Sequence, residues 1–173
     1  QLTTYTFHTV SARLFIDCSG DSILAPLSGA KYRMGREGAG EYGEYAAPEA
    51  ADAKTMGNTC LIEARETDRK CDFIPPPWAH VYETDEDLYM KNHDFINTGV
   101  NFWWIELGGT SRDIIAETET ITDELFKCVY GIWDHIKNGG DHGAENYSLS
   151  WVGAVPGIRE SRRLVGDYLL QET

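Results

Sequence analysis

Asp17-Cys18-Ser19-Gly20-Asp21 places two carboxylates, a thiol, a hydroxyl and a glycine in one short stretch, directly after the apolar run Leu14-Phe15-Ile16. A buried strand that feeds a tight turn is where α/β sheets present their main chain to nucleotides. Gly20 permits close approach of a ligand to the backbone. Asp17 or Asp21 can accept a hydrogen bond from a ribose or ribityl hydroxyl. The same residues suit a plainer task, because an Asp or Ser ahead of a helix caps its first amides. Sequence alone leaves both readings standing.

A second concentration of chemistry lies near the other end. Arg159, Arg162 and Arg163 fall within Gly157-Ile158-Arg159-Glu160-Ser161-Arg162-Arg163-Leu164-Val165-Gly166-Asp167-Tyr168, in a chain whose formal net charge is −13. Guanidinium groups suit a planar carboxylate, a phosphate, or the electron-rich end of a reduced flavin. Composition favours the alternative, ion pairing within the chain, because 28 acidic residues surround these cations.

Other signals are weaker. Gly38-Ala39-Gly40-Glu41-Tyr42-Gly43 matches G-x-G-x-x-G, but the motif requires a buried strand before it. Lys31 to Glu37 is polar, and Glu41 and Glu44 would face the pyrophosphate, so we reject it. Trp78, Trp103, Trp104, Trp133 and Trp151 offer stacking surfaces for a sugar or aromatic substrate, although core packing is the commoner role of tryptophan. Adjacent Trp103 and Trp104 point to opposite faces of a strand, so at most one lines a given pocket. His8, His80, His93, His135 and His142 show no metal-ligand spacing, and no metal is expected. Cys18, Cys60, Cys71 and Cys128 fit neither a zinc site nor a redox Cys-x-x-Cys, and read as thiols, mostly buried.

The elements that must position these residues follow from periodicity. The first 17 residues alternate and suggest two strands, the second ending in Leu14-Phe15-Ile16. Ser22 to Ala30 suits a short helix, and residues 31–59 form a long glycine-rich loop region. Residues 59–65 and 100–107 read as strands, the latter closed by Gly108-Gly109. Pro75-Pro76-Pro77 forces an extended segment, and the acids Glu83 to Asp87 read as a solvated loop or helix start. Ile114, Ile121, Leu125, Val129, Ile132 and Ile136 recur at helical spacing, with Thr110 and Asp113 at capping-box separation. The fold expected is α+β, with a mixed or antiparallel sheet and one long helix over about 110–137.

A length of 173 residues with 42% hydrophobic content supports one well-packed core. The acidic balance argues against nucleic acid and an anionic membrane surface, and neither is expected as a partner. No apolar run is long enough to span a bilayer.

Three segments together resemble the FAD-dependent oxidoreductase family of large bacterial flavoproteins. The first is Phe15-Ile16-Asp17-Cys18-Ser19-Gly20-Asp21, with Leu27-Ser28-Gly29-Ala30 and Met34-Gly35-Arg36-Glu37 after it. The second is Thr55-Met56-Gly57-Asn58-Thr59-Cys60, with Pro77-Trp78 beyond, and the third runs from Pro156 to Leu170. The resemblance implies a substrate-binding domain inserted into a nucleotide-binding α/β domain. Residues 1–30 would then be a re-entrant part of the FAD-binding domain, 31–155 the substrate-binding domain and 156–173 a return segment. It places Asp17, Gly20, Asp21, Arg159, Gly166 and Asp167 near the cofactor. Arg162, Trp78, Trp103 and Trp104 fall to the substrate.

The chain departs from that pattern where the family grips the FAD pyrophosphate, since no glycine-rich βαβ unit is present. The expectation is therefore a fragment of a larger flavoprotein, holding FAD only in the intact parent and inactive alone. Its partners would be a small-molecule substrate and a flanking FAD-binding domain, with weak self-association through unpaired strand edges. Two other classes stay open. A carbohydrate- or small-ligand-binding module would use the tryptophans and carboxylates without redox chemistry and bind its ligand by this chain alone, and a structural or interaction module would not.

Overall fold

The computed structural model describes residues 5–88, 102–139 and 142–171, with only the backbone at 102 and 103. The fold is α+β, with antiparallel sheets and one long helix. In chain order the elements are α1 (Leu24–Ser28), β1 (Tyr32–Arg33), α2 (Ala39–Tyr42), β2 (Asn58–Glu66), β3 (Phe102–Leu107), α3 (Thr118–Asn138), β4 (Tyr147–Val152) and β5 (Arg163–Leu164). A 3₁₀ turn covers Asp85–Leu88.

β2 is the middle strand of an antiparallel sheet ordered β3-β2-β4. Its alternation explains why: Cys60, Ile62 and Ala64 are buried while Leu61 and Glu63 face out, as a period of two requires. Ile62 pairs with Trp103 on one side and Val152 on the other, and a bulge at Glu63/Ala64 shifts the β4 register. Across the buried face lies α3. Its inward residues Ile121, Leu125, Cys128, Val129, Ile132, Trp133 and Ile136 sit three or four apart, on the stripe that a core-facing helix needs. They close with Ile62, Ile105 and Ile114 into one apolar cluster.

The segment after β2 straps α3 from outside. Phe73 meets Trp133 edge-on at 6.4 Å, Trp78 meets Tyr130 at 5.2 Å, and His80 N–H donates to Lys127 O at 3.1 Å. Gly131 makes this close approach possible, since a Cβ there would overlap the His80 carbonyl and lie 3.0 Å from the Tyr82 ring. The tail is pinned to β2 by reciprocal bonds between Thr59 and Gly157, at 2.9 and 2.7 Å. β5 then pairs with β1 in a separate two-stranded ribbon.

Two expectations change. The helix exists but starts at Thr118, because residues 110–117 form turns with their own cap: Asp113 Oδ1 accepts from Ile115 N and Ala116 N at 2.9 and 3.0 Å. The two N-terminal strands do not form among the described residues, where 7–18 hold no regular element. Leu14, Phe15 and Ile16 are 85%, 63% and 86% exposed rather than buried. An alternating or apolar run becomes a strand only against a hydrogen-bonding neighbour. Val100 and Asn101, read as the start of the middle strand, lie outside the described residues, as does His93.

Gly131→Ala separates the helix propensity from the packing. Propensity alone would favour Ala by about 1 kcal/mol. The strap reverses the sign, and urea unfolding should show a net loss of about 1–3 kcal/mol from overpacking. A gain would mean that the 78–82 strap does not lie on α3.

Candidate functional site

The turn read first from the sequence is held by its own acids. Asp17 Oδ1 accepts from Ser19 N–H and Oγ–H at 2.9 and 2.5 Å, and Oδ2 accepts from Leu24 N–H at 2.9 Å. Ser19 Oγ in turn accepts from Ile23 N–H at 3.1 Å. The hydrogen bonds from Ser19, then that from Leu24, hold the Asp17 carboxyl below its ordinary value. Asp17 thus caps α1. Gly20 at φ +87° and Ser22 at φ +52° bend the chain back, and the side of Gly20 where a Cβ would stand is open space. For Ser22 that conformation is strained, of a kind that clusters at ligand-holding turns.

Asp21 joins this turn to the tail. Arg162 Nε donates to Asp21 O at 2.8 Å and its terminal nitrogen lies 3.2 Å from Asp21 Oδ2. Both side chains are largely buried, at 11% and 14% exposure. Ser161 beside it is fully buried, and its Oγ has no hydrogen-bond partner. The other arginines are also paired. Arg159 reaches Glu106 Oε2 at 3.4 Å, while Glu106 Oε1 accepts from Gly57 N–H at 2.8 Å. Arg163 holds Glu160, Glu37 and the Gly35 carbonyl at 2.5, 2.8 and 2.6 Å. Gly166 and Asp167 lie exposed beyond β5.

The tryptophans do not share a site. Trp78 is half-exposed against α3, whereas Trp104 is half-exposed on the opposite, uncovered face of the sheet beside Leu61. Trp103 lies in β3, with its side chain outside the described residues. The Gly38–Gly43 stretch forms the short α2 with an Arg33–Glu41 ion pair over it. All four cysteines are without disulfides, Cys60 and Cys128 buried. Burial pushes the Cys60 thiol up to about 11.

Two cavities flank the helix–sheet body. One of about 480 Å³ runs along β4 between Phe73, Tyr130, Trp133 and Trp151, and contains Lys137. That lysine is committed to closing the chain, donating to the carbonyls of Ala144, Glu145 and Tyr147 at 2.7, 3.1 and 2.7 Å. The other, of about 440 Å³, opens between Met34, Ala53 and Thr55 and the loop Gly109–Ile114. We favour the second, because the cation in the first is already engaged whereas Arg112 borders the second. Arg112 on its rim is exposed and, among the described residues, carries no ion pair. Sequence reasoning overlooked it. The signal was present in a strand closing on Gly108-Gly109 before Thr110-Ser111-Arg112, with both glycines at positive φ. A Cβ at Gly109 would lie 2.5 Å from Thr55 O, so only glycine lets this loop close on the wall opposite.

The 31–59 loop that supplies that wall is fastened by Arg36, whose Nε donates to both Asp52 oxygens at 3.1 and 3.2 Å. This pairing, helped by Lys54 N–H, lowers the Asp52 carboxyl to about 2. A depressed acid stabilises the fold above its unfolded value and stops doing so as pH falls through the folded one. The loop should therefore keep its fastening above about pH 4 and lose it between there and pH 2. Carboxyl NMR titration should place Asp52 near 2, and Arg36→Ala should return it toward about 4.

Arg162→Met should cost about 1–3 kcal/mol in urea unfolding, the size of lost hydrogen bonds to charged groups. It should also speed amide exchange at residues 19–24. Unchanged exchange there would show that the turn does not depend on the tail.

A family model described as FAD dependent oxidoreductase matches residues 2–173. No curated protein and no solved structure matches the chain.

Proposed function

The chain belongs to the FAD dependent oxidoreductase family, and from that premise we propose that it positions a small-molecule substrate beside the flavin. The observation that carries this reading is the Asp21–Arg162 pair. It ties the turn at residues 17–21 to the tail between β4 and β5 through a largely buried guanidinium.

The residues fit a flavin nucleotide at one place. Gly20 leaves its backbone open to a phosphate or ribityl group, and Asp17 and Asp21 keep the turn in shape rather than being spent on the ligand. Bound there, the flavin supplies the hydride acceptor. The chain's own part is to hold and orient the substrate. Arg112 takes a carboxylate or similar anion at the rim, and Met34 and Ala53 offer the substrate apolar surface on the opposite side. Arg162 acts on this site by positioning the turn, while Arg159 and Arg163 fasten the tail and loops. A flanking FAD-binding domain would supply the remaining cofactor contacts. Leu14, Phe15 and Ile16, apolar and exposed immediately before the turn, support that arrangement.

Flavin fluorescence and absorbance titrations test the division of labour. The chain by itself should show no saturable FAD binding up to about 100 μM, since one edge of contact gives little beyond the millimolar range. Stoichiometric binding at low micromolar FAD would overturn the proposal. A calorimetric screen of small carboxylates should in parallel find weak binders that Arg112→Ala abolishes and Trp104→Ala does not. Binders lost with Trp104 instead would favour a ligand-binding module that uses the tryptophans.

A further inference from the structure

At the C-terminal end of α3, three chain segments bring two imidazoles and a carboxylate to one point. His135 Nε2 lies 2.9 Å from Asp85 Oδ1 and 3.0 Å from His142 Nε2, and His142 Nε2 lies 3.7 Å from the same Asp85 oxygen. His135 is almost fully buried, His142 is 21% exposed and Asp85 is 67% exposed on its side chain. We propose that Asp85, His135 and His142 form a binding site for a divalent cation of the zinc class.

The argument begins with the other nitrogen of His135. Nδ1 lies 2.9 Å from the Tyr82 carbonyl oxygen, which can only accept, so Nδ1 carries the proton. In the neutral ring Nε2 is then a lone pair, directed at a carboxylate oxygen and at a second imidazole nitrogen. Three donor atoms this close can share a proton or hold one cation among them. A proton on Nε2 can be given to Asp85 or to His142, but it cannot serve both at full strength. A cation serves all three.

The dimensions agree. Ligands at about 2.0–2.2 Å from zinc in tetrahedral array stand about 3.3–3.5 Å apart, and the observed separations of 2.9, 3.0 and 3.7 Å bracket that spacing. The Nδ1–H bond to a main-chain carbonyl is the outer contact that fixes a metal-binding imidazole in its tautomer. Two nitrogens and one carboxylate oxygen suit Zn²⁺ better than Mg²⁺ or Ca²⁺, which prefer oxygen alone. Three protein ligands leave the fourth position to water or a further donor. The cation would tie the 3₁₀ turn at Asp85, the last turn of α3 and the chain entering β4 into one joint.

A second group, His80, Glu124 and Cys128, also converges within 4.8 Å. Its charges are already matched: Glu124 accepts from His80 at 2.6 Å and pairs with Lys127 at 3.5 Å. We place the cation at the first group, and the second serves as the control.

The test uses the full chain, stripped with chelator and freed of any affinity tag. Calorimetric titration with Zn²⁺ should find about one equivalent bound at micromolar or tighter affinity, with a raised melting temperature. Asp85→Asn and His142→Gln change exposed or half-exposed positions, so the metal-free fold should persist by circular dichroism. Each should weaken binding at least about tenfold, in line with the loss of one ligand or its orienting partner. His80→Gln should leave it unchanged. Co²⁺ in place of zinc should give visible d–d bands without a thiolate charge-transfer band. Absence of zinc binding, retention of it in both His142→Gln and Asp85→Asn, or a thiolate band from Cys128 would each overturn the assignment.

Discussion

The described fold is organised around the burial of one face of α3 on β2. Ile62, Ile121 and Ile132 have no solvent exposure, and Leu125, Val129, Trp133 and Ile136 are within a few per cent of that. Side chains of this size each contribute about 1.5–3 kcal/mol when fully buried, before the ordering entropy is subtracted. β2 can serve as the middle strand because it satisfies both backbone edges, against β3 and against β4. The other parts are fastened to that pair. Asn58 holds the Ile114 carbonyl at 3.1 Å, fixing the loop ahead of the helix, and Thr59 holds Gly157 at the start of the tail. The strap at His80 lies on Gly131.

Outside that core, attachment changes from apolar to ionic. The segments before β2 and after β4 bury few large side chains but are crossed by Arg36–Asp52, Arg163–Glu37, Arg159–Glu106 and Arg162–Asp21. Exposed pairs of this kind contribute little one at a time. They choose among arrangements of loops that the core does not reach. An excess of acids makes the scheme self-completing, because each tail arginine meets a carboxylate. Arg162 differs from the rest in being largely buried, so it fixes the turn more firmly than the rim pairs fix their loops.

Periodicity made β2, β3 and α3 legible, since each carries a one-sided pattern that only one secondary structure can bury. It did not supply partners. Leu14-Phe15-Ile16 has the composition of a strand, yet strand formation depends on a neighbour that pattern cannot name. The start of α3 was misplaced for a related reason: Asp113 caps a turn whose apolar Ile114 keeps helical spacing with Ile121 without continuing into the helix. Composition correctly favoured ion pairs for the tail arginines. The Asp85, His135 and His142 cluster left no trace in spacing, because its members come from a turn, a helix end and a loop brought together only by the fold.

The places where the described residues give up stability lie outside the α3 core. Among the described residues, Ser22 is the non-glycine residue with positive φ, and Asn58 Oδ1, Thr59 Oγ1 and Ser161 Oγ are the buried side-chain oxygens without a hydrogen-bond partner. Each buried, unsatisfied polar atom costs about 1–3 kcal/mol. None lies in the apolar stripe of α3. Instead they lie in the turn after Gly20, in the tail next to Arg162, and at the start of β2 where Thr59 pairs with Gly157. A sequence that breaks local rules at such points, while obeying them throughout its core, is shaped there by a constraint other than folding.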